Sequence, residues 1–244
     1  MSRASLVIPV WGYFPLRDSP SKNPAVIGNA FSGCAFLPVT ALPVNPTRID
    51  VNEGHFMTIT ADSIPGYKAG TWTIDASHSS VGFSVRHLMI SKVKGTFDNF
   101  SGSFETGENP LDTKVTASAA VSSINTGDEN RDGHLRTNEF FDAEKFPTID
   151  FVSTGVKVKD AAEGEYTVDG NLTLRGVTKP VEFDFEFGGF ALDPYGNYKA
   201  AATATGVINR DDFGLTWNAA LETGGVVVGD KVTITIDFQA VLAA

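Results

Sequence analysis

Val181-Glu182-Phe183-Asp184-Phe185-Glu186-Phe187 places an apolar side chain at every second position with a carboxylate between each pair. A period of two is the signature of a strand with one face in a dry interior and the other in water. Val232, Ile234, Ile236 and Phe238 repeat the pattern against Thr233, Thr235, Asp237 and Gln239. From these two stretches the alternation extends outward, over residues 155–187 and 231–242. Many such strands need one shared apolar interior. Closing the sheet on itself supplies that interior and removes exposed edges.

The spacing predicts strands at Thr71–Asp75, Ser79–Met89, Lys92–Glu105, Thr113–Ile124, Thr148–Lys159, Glu165–Leu174, Pro180–Ala191, Tyr198–Asn209 and Lys231–Leu242. Turn residues separate them at Asp98-Asn99, 107–110, 160–164, 193–197 and Gly224-Gly225. Eight or nine strands suit a small closed antiparallel barrel, so the fold class is all-β. One segment, Asp128 to Lys145, reads as a helix: Asp128 is a capping residue, acidic residues come early and Pro147 halts it. This helical insertion is expected to plug one end of the barrel with its aromatic side or to act as a lid.

Residues 1–56 read differently. They hold seven of the twelve prolines and sustain no period. The expectation is an irregular, disordered leader ahead of a single barrel domain at 57–244, with Met57 as an alternative start. Pro9 and Pro15 interrupt the apolar stretch that a secretory signal requires. Phe31-Ser32-Gly33-Cys34 has only the outline of a lipoprotein cleavage site. A cytoplasmic location is the first expectation, with export or lipid anchoring as the alternative.

The formal net charge is −10, and beyond residue 56 the balance is 15 basic against 26 acidic residues. Phosphate backbones need a basic footprint, so nucleic acid is not an expected partner. The single cysteine, Cys34, excludes an internal disulfide and a cysteine-based metal cluster. There is no phosphate loop, nucleophile elbow or His-Glu-x-x-His, and neither a cofactor nor a metal is expected. An enzyme would have to set His87 or His134 beside Asp211 or Asp212 in a wet pocket.

Parity sorts the side chains. Phe83, Val85, Phe97, Phe151, Phe183, Phe185, Ile234 and Ile236 fall on the inward side, interspersed with small residues at Ala117, Ala119, Gly170, Ala202, Ala204 and Gly206. Small residues on several strands leave room along the axis. A lumen lined this way accepts a long apolar tail rather than a sugar or nucleotide. His87 continues an inward stripe and needs a hydrogen-bond partner there. Arg131, His134, Arg175 and Arg210 are further polar candidates, although Arg175 shares parity with outward Thr173.

Five strings carry a resemblance. They run from Trp72 through His78, Phe83 and Arg86-His87 to Leu88; Arg131 through His134 to Arg136 with Phe140-Phe141 and Phe146-Pro147; Leu172 through Arg175 to Pro180; Ile208 through Arg210 and Phe213 to Trp217-Asn218; and Val228 to Asp237. In this order they resemble the YceI-like family of polyisoprenoid-binding proteins, from about Tyr67 to the C-terminus. The resemblance implies a lipocalin-like eight-stranded barrel that binds the tail of a polyprenyl phosphate or isoprenoid quinone along its lumen. It brings no catalytic residue. The tail would meet the eight inward residues above, and the head group would meet His87, Arg131, His134, Arg175 and Arg210. The expected partner is an isoprenoid lipid, with transient contact with a membrane surface and a homodimer both left open. The rival reading is a fully packed barrel whose acidic exterior serves as a protein-interaction surface.

Overall fold

A computed structural model describes residues 59–219 and 226–243. The expected leader and the Gly224-Gly225 turn lie outside the described residues. Eleven antiparallel strands form one sheet: β1 (Gly70–Ile74), β2 (Ser80–His87), β3 (Ser91–Phe97), β4 (Phe100–Thr106), β5 (Lys114–Ala120), β6 (Ile124–Asn125), β7 (Thr148–Asp160), β8 (Glu165–Leu174), β9 (Val177–Leu192), β10 (Tyr198–Asn209) and β11 (Val228–Leu242). The sheet closes in the ring β1-β4-β5-β7-β8-β9-β10-β11, with β11 returning to β1 through Trp72 opposite Leu242. The ring is the expected eight-stranded barrel.

The other three strands extend walls of that ring. Ala76–His78 forms a single 3-10 turn, capped by the Asp75 carboxylate accepting from Ser77 N–H, and breaks one wall into β1 and β2. Both halves run along β11. The expected strand Lys92–Glu105 bends at Asp98-Asn99, where the Asp98 N–H turns away to the Ser123 carbonyl. A further 3-10 turn at Val121–Ser123 separates β5 from β6. Nine expected strands thus become eleven segments and eight walls.

Burial alternates where parity requires it. Tyr166, Val168, Leu172 and Leu174 are buried on β8, and Ala200, Ala202, Ala204 and Ile208 on β10. Bulges with one extra residue, Thr154 on β7 and Gly188 on β9, bend these two strands into the closed curve.

The helix, α1, spans only Glu129–Arg136, which corrects the expected end at Lys145. Asp128 does cap it, accepting from the N–H groups of Asn130 and Arg131. Beyond Thr137 the chain folds into turns, with Ala143 N–H bonded to the Arg136 carbonyl and Asp142 at φ 53°. The physical reason lies in Phe140 and Phe141, which turn to different partners: Phe140 packs on Trp217, and Phe141, which also borders the cluster holding Phe140, sits edge-on to Phe97. The plug is therefore made of Leu135 and these turns. The helix itself has one apolar side chain. Among the described residues no helix is long and apolar enough to cross a membrane.

Candidate functional site

A cavity of about 360 Å³ occupies the barrel lumen. It runs from Leu135, Phe140 and Phe141 under the plug to Ile64, Tyr67 and Phe190 at the opposite end. Phe83, Val85, Phe97, Phe151, Phe183, Phe185, Ile234 and Ile236 all line it. Phe97 and Phe183 are buried, while the other six stay half-buried because one side of each faces open lumen. A fully packed interior is thereby excluded.

The room comes from only some of the small residues. Glycine positions in the wall are covered by rings from the next strand: a Cβ on Gly206 would lie 2.7 Å from Phe183, and one on Gly95 would meet Phe83 at 2.5 Å. Phe151 covers Gly170 in the same way. These pairs make flat aromatic wall. The alanines Ala202 and Ala204 on β10 and Ala117 on β5 leave the lumen wide.

The five polar candidates gather at the plugged end, where β2 and β8 end, β10 ends and α1 sits. Only Arg210 reaches the cavity lining. It is 4% exposed and spends its guanidinium on the carbonyls of Gly229, Leu215 and Trp217, with Asp230 at 3.8 Å. Arg131 donates from Nε and Nη2 to the hydroxyl and carbonyl of Thr126, whose N–H and hydroxyl in turn serve the buried Asp132 carboxylate. Arg175 sits at φ 52° in the β8–β9 hairpin with Gly176 at 72°, a pairing that suits a type I′ turn. From there it ties the carbonyls of Gly214 and Asn138 together. His134 bonds to Glu139 and stands edge-on between Phe140 and Trp217, with ring centroids 5.0 and 5.2 Å away. The carboxylate beside it is therefore Glu139, not Asp211 or Asp212. His87 ends β2 opposite Val228 and does not line the cavity, which corrects its expected inward placement: the strand stops there and the chain turns.

The YceI-like domain model matches residues 72–240. The chain belongs to the YceI-like family. A UPF0312 protein of Staphylococcus aureus is 43% identical over 163 residues, covering 66% of this chain and 91% of the relative. The YceI protein of Campylobacter jejuni superimposes with a TM-score of 0.56 at 28% identity, over 65% of this chain and 90% of that one. A polyisoprenoid binding domain from Saccharophagus degradans, implicated in plant cell wall breakdown, shares the fold at 18% identity with a TM-score of 0.52, over 72% of this chain and all of its own.

Within this YceI-like barrel, two lining tyrosines are among the residues that went unremarked in the sequence. Tyr166, 6% exposed, lines the cavity against Phe185, and burial pushes its hydroxyl above the usual phenol range. That hydroxyl makes no hydrogen bond to a described residue. Its parity with Val168 and Leu172 was the available signal. Tyr67 closes the far end, donating to the Gly107 carbonyl, and burial raises it too. No period marks Tyr67, because it lies ahead of the first strand.

Proposed function

We propose that this protein binds a polyisoprenoid lipid in the barrel lumen and carries or sequesters it without catalysing a reaction. The observation that carries this reading is the apolar cavity of about 360 Å³ along the barrel axis, within the size range of ligand sites. Membership of the YceI-like family supports it, as does the fold shared with a domain described as polyisoprenoid-binding. The tail would lie against Phe83, Val85, Phe97, Phe151, Phe183, Phe185, Ile234 and Ile236. A phosphate or quinone head would lie at the plugged end, where Arg131, Arg175 and Arg210 keep N–H donors beyond those they already use and His87 and His134 stand nearby.

Burying each CH₂ is worth roughly 0.8 kcal/mol, so a tail of several isoprene units nominally exceeds the ceiling of non-covalent affinity. Ordering the tail offsets much of that. Affinity is therefore expected to follow tail length more closely than head group. Organic extraction of protein made in bacteria, read by mass spectrometry, should yield a quinone or polyprenyl species. Delipidated protein should rebind long-chain analogues better than short ones bearing the same head. Affinity independent of tail length would sink the proposal.

A further inference from the structure

The hairpin joining β2 to β3 breaks two local rules at once. Leu88 and Met89 both adopt left-handed backbone, at φ 51° and 60°, in a turn closed by Ile90 N–H donating to the His87 carbonyl. Consecutive left-handed residues at the centre of a hairpin turn favour Asn-Gly, because a branched or long side chain crowds the backbone there. The same tip is apolar and open: Met89 is 60% exposed and Ile90 82%, with Val226 exposed beside them where Leu88 N–H bonds Val227. A strained turn of water-facing apolar residues marks a functional surface.

Charge says what the surface meets. The outer face of the strands leading into the tip carries Arg86, Lys92 and Lys94, with Lys231 next to them on β11, all exposed. Arg86 lies directly opposite Lys92, a like-charge pair that disfavours the hairpin on its own. Among the described residues no carboxylate is within ion-pair distance of these four groups; the neighbouring Asp230 carboxylate faces Arg210. In a chain of net charge −10 this basic patch stands out, and it gives this side of the molecule an attraction for an anionic surface.

We infer that the β2–β3 tip docks the protein on an anionic lipid bilayer, with Leu88, Met89 and Ile90 entering the interface and Arg86, Lys92, Lys94 and Lys231 lying against the head groups. Apolar side chains rimmed by cations are the chemistry of interfacial binding. Val85 and Val228, immediately inside the tip, line the cavity, so docking sets the plugged end of the lumen against the membrane. This extends the carrier reading to the place of lipid exchange, yet it stands on the tip alone.

The test is co-sedimentation of the full chain with phosphatidylcholine vesicles and with vesicles of equal parts phosphatidylcholine and phosphatidylglycerol. Binding is expected only to the second, and it should weaken as salt rises. Reversing two charges with Lys92→Glu/Lys94→Glu should weaken it at least about tenfold. Leu88→Asn/Met89→Gly supplies the residues the turn favours, so the unfolding midpoint should hold or rise while vesicle binding falls. Equal binding to both vesicles, wild-type binding by either double variant, or a tip-dependent dimer in sedimentation would overturn the inference. Bound isoprenoid should survive in Leu88→Asn/Met89→Gly. Vesicle binding by a protein that holds no isoprenoid would defeat the carrier reading and leave docking intact.

Discussion

The ring of Phe151 on β7 occupies the space that a side chain at Gly170 on β8 would need, two residues out of direct register with it. A glycine inside a strand weakens it unless something covers the exposed backbone, and here a neighbouring ring does so. The position is glycine because the lumen wall is already full there.

Gly170→Ala should accordingly destabilise the barrel by about 1–3 kcal/mol, since the new methyl meets Phe151 and the Val152 carbonyl at 2.7 Å. Chemical denaturation measures this. A neutral or stabilising alanine would mean that the ring moves aside freely and covers nothing.

Charge should be tolerated on one side of β9 and not on the other. Phe185→Asp sets an unpaired carboxylate into the apolar lumen and should cost more than about 3 kcal/mol. Asp184 faces water and pairs with Lys159 at 2.8 Å, both partners exposed, so Asp184→Asn should change stability by less than about 1 kcal/mol. Comparable losses in the two variants would contradict the inward assignment of the phenylalanine face.

Ala204 lies across from Phe185 on β9 and Ile236 on β11, at a level where the lumen is wide. Ala204→Phe should lower affinity for long polyprenyl analogues while the far-ultraviolet circular dichroism spectrum stays that of the folded barrel. Unaltered affinity in the folded variant would move the binding site off the lumen.

Asp75 accepts from Ser77, from the Lys199 ammonium at 2.9 Å and from His78, and these bonds, that from Ser77 first, hold its carboxyl well below the usual carboxylate range. Because the folded state favours the ionised form, the stabilisation is complete above the unfolded value of about 4 and fades as pH falls below it. Asp75→Asn should therefore lower the thermal midpoint at neutral pH, and the gap to the wild type should narrow as pH is taken from about 5 toward about 2. A gap that does not change with pH would show that ionisation of Asp75 contributes nothing.

The chain by itself determined which side chains share the interior. In a strand the side-chain direction is set by position alone, so Phe83, Val85, Phe151, Phe183, Phe185, Ile234 and Ile236 could be assigned to one lumen without knowing which strands are neighbours. Other features needed the closed fold. That β11 pairs with β2 along most of its length and with β1 at its end follows from a single 3-10 turn at Ala76–His78 and from barrel closure, neither of which leaves a periodic mark. Whether a small inward residue means space depends on the next strand: Ala204 opens the lumen, whereas Gly170 lies under Phe151. The helix stopped at Arg136 because Phe140 and Phe141 have separate tertiary partners, which outweigh the local preference to continue. The polar candidates were legible as residues, but their gathering at one end came from the closed fold. Their partners were not legible: Arg131 is tied to Thr126 within its own segment, but Arg210 reaches Gly229 as well as Leu215 and Trp217, and Arg175 reaches Gly214 and Asn138, which only the packing of the plug brings within hydrogen-bond range.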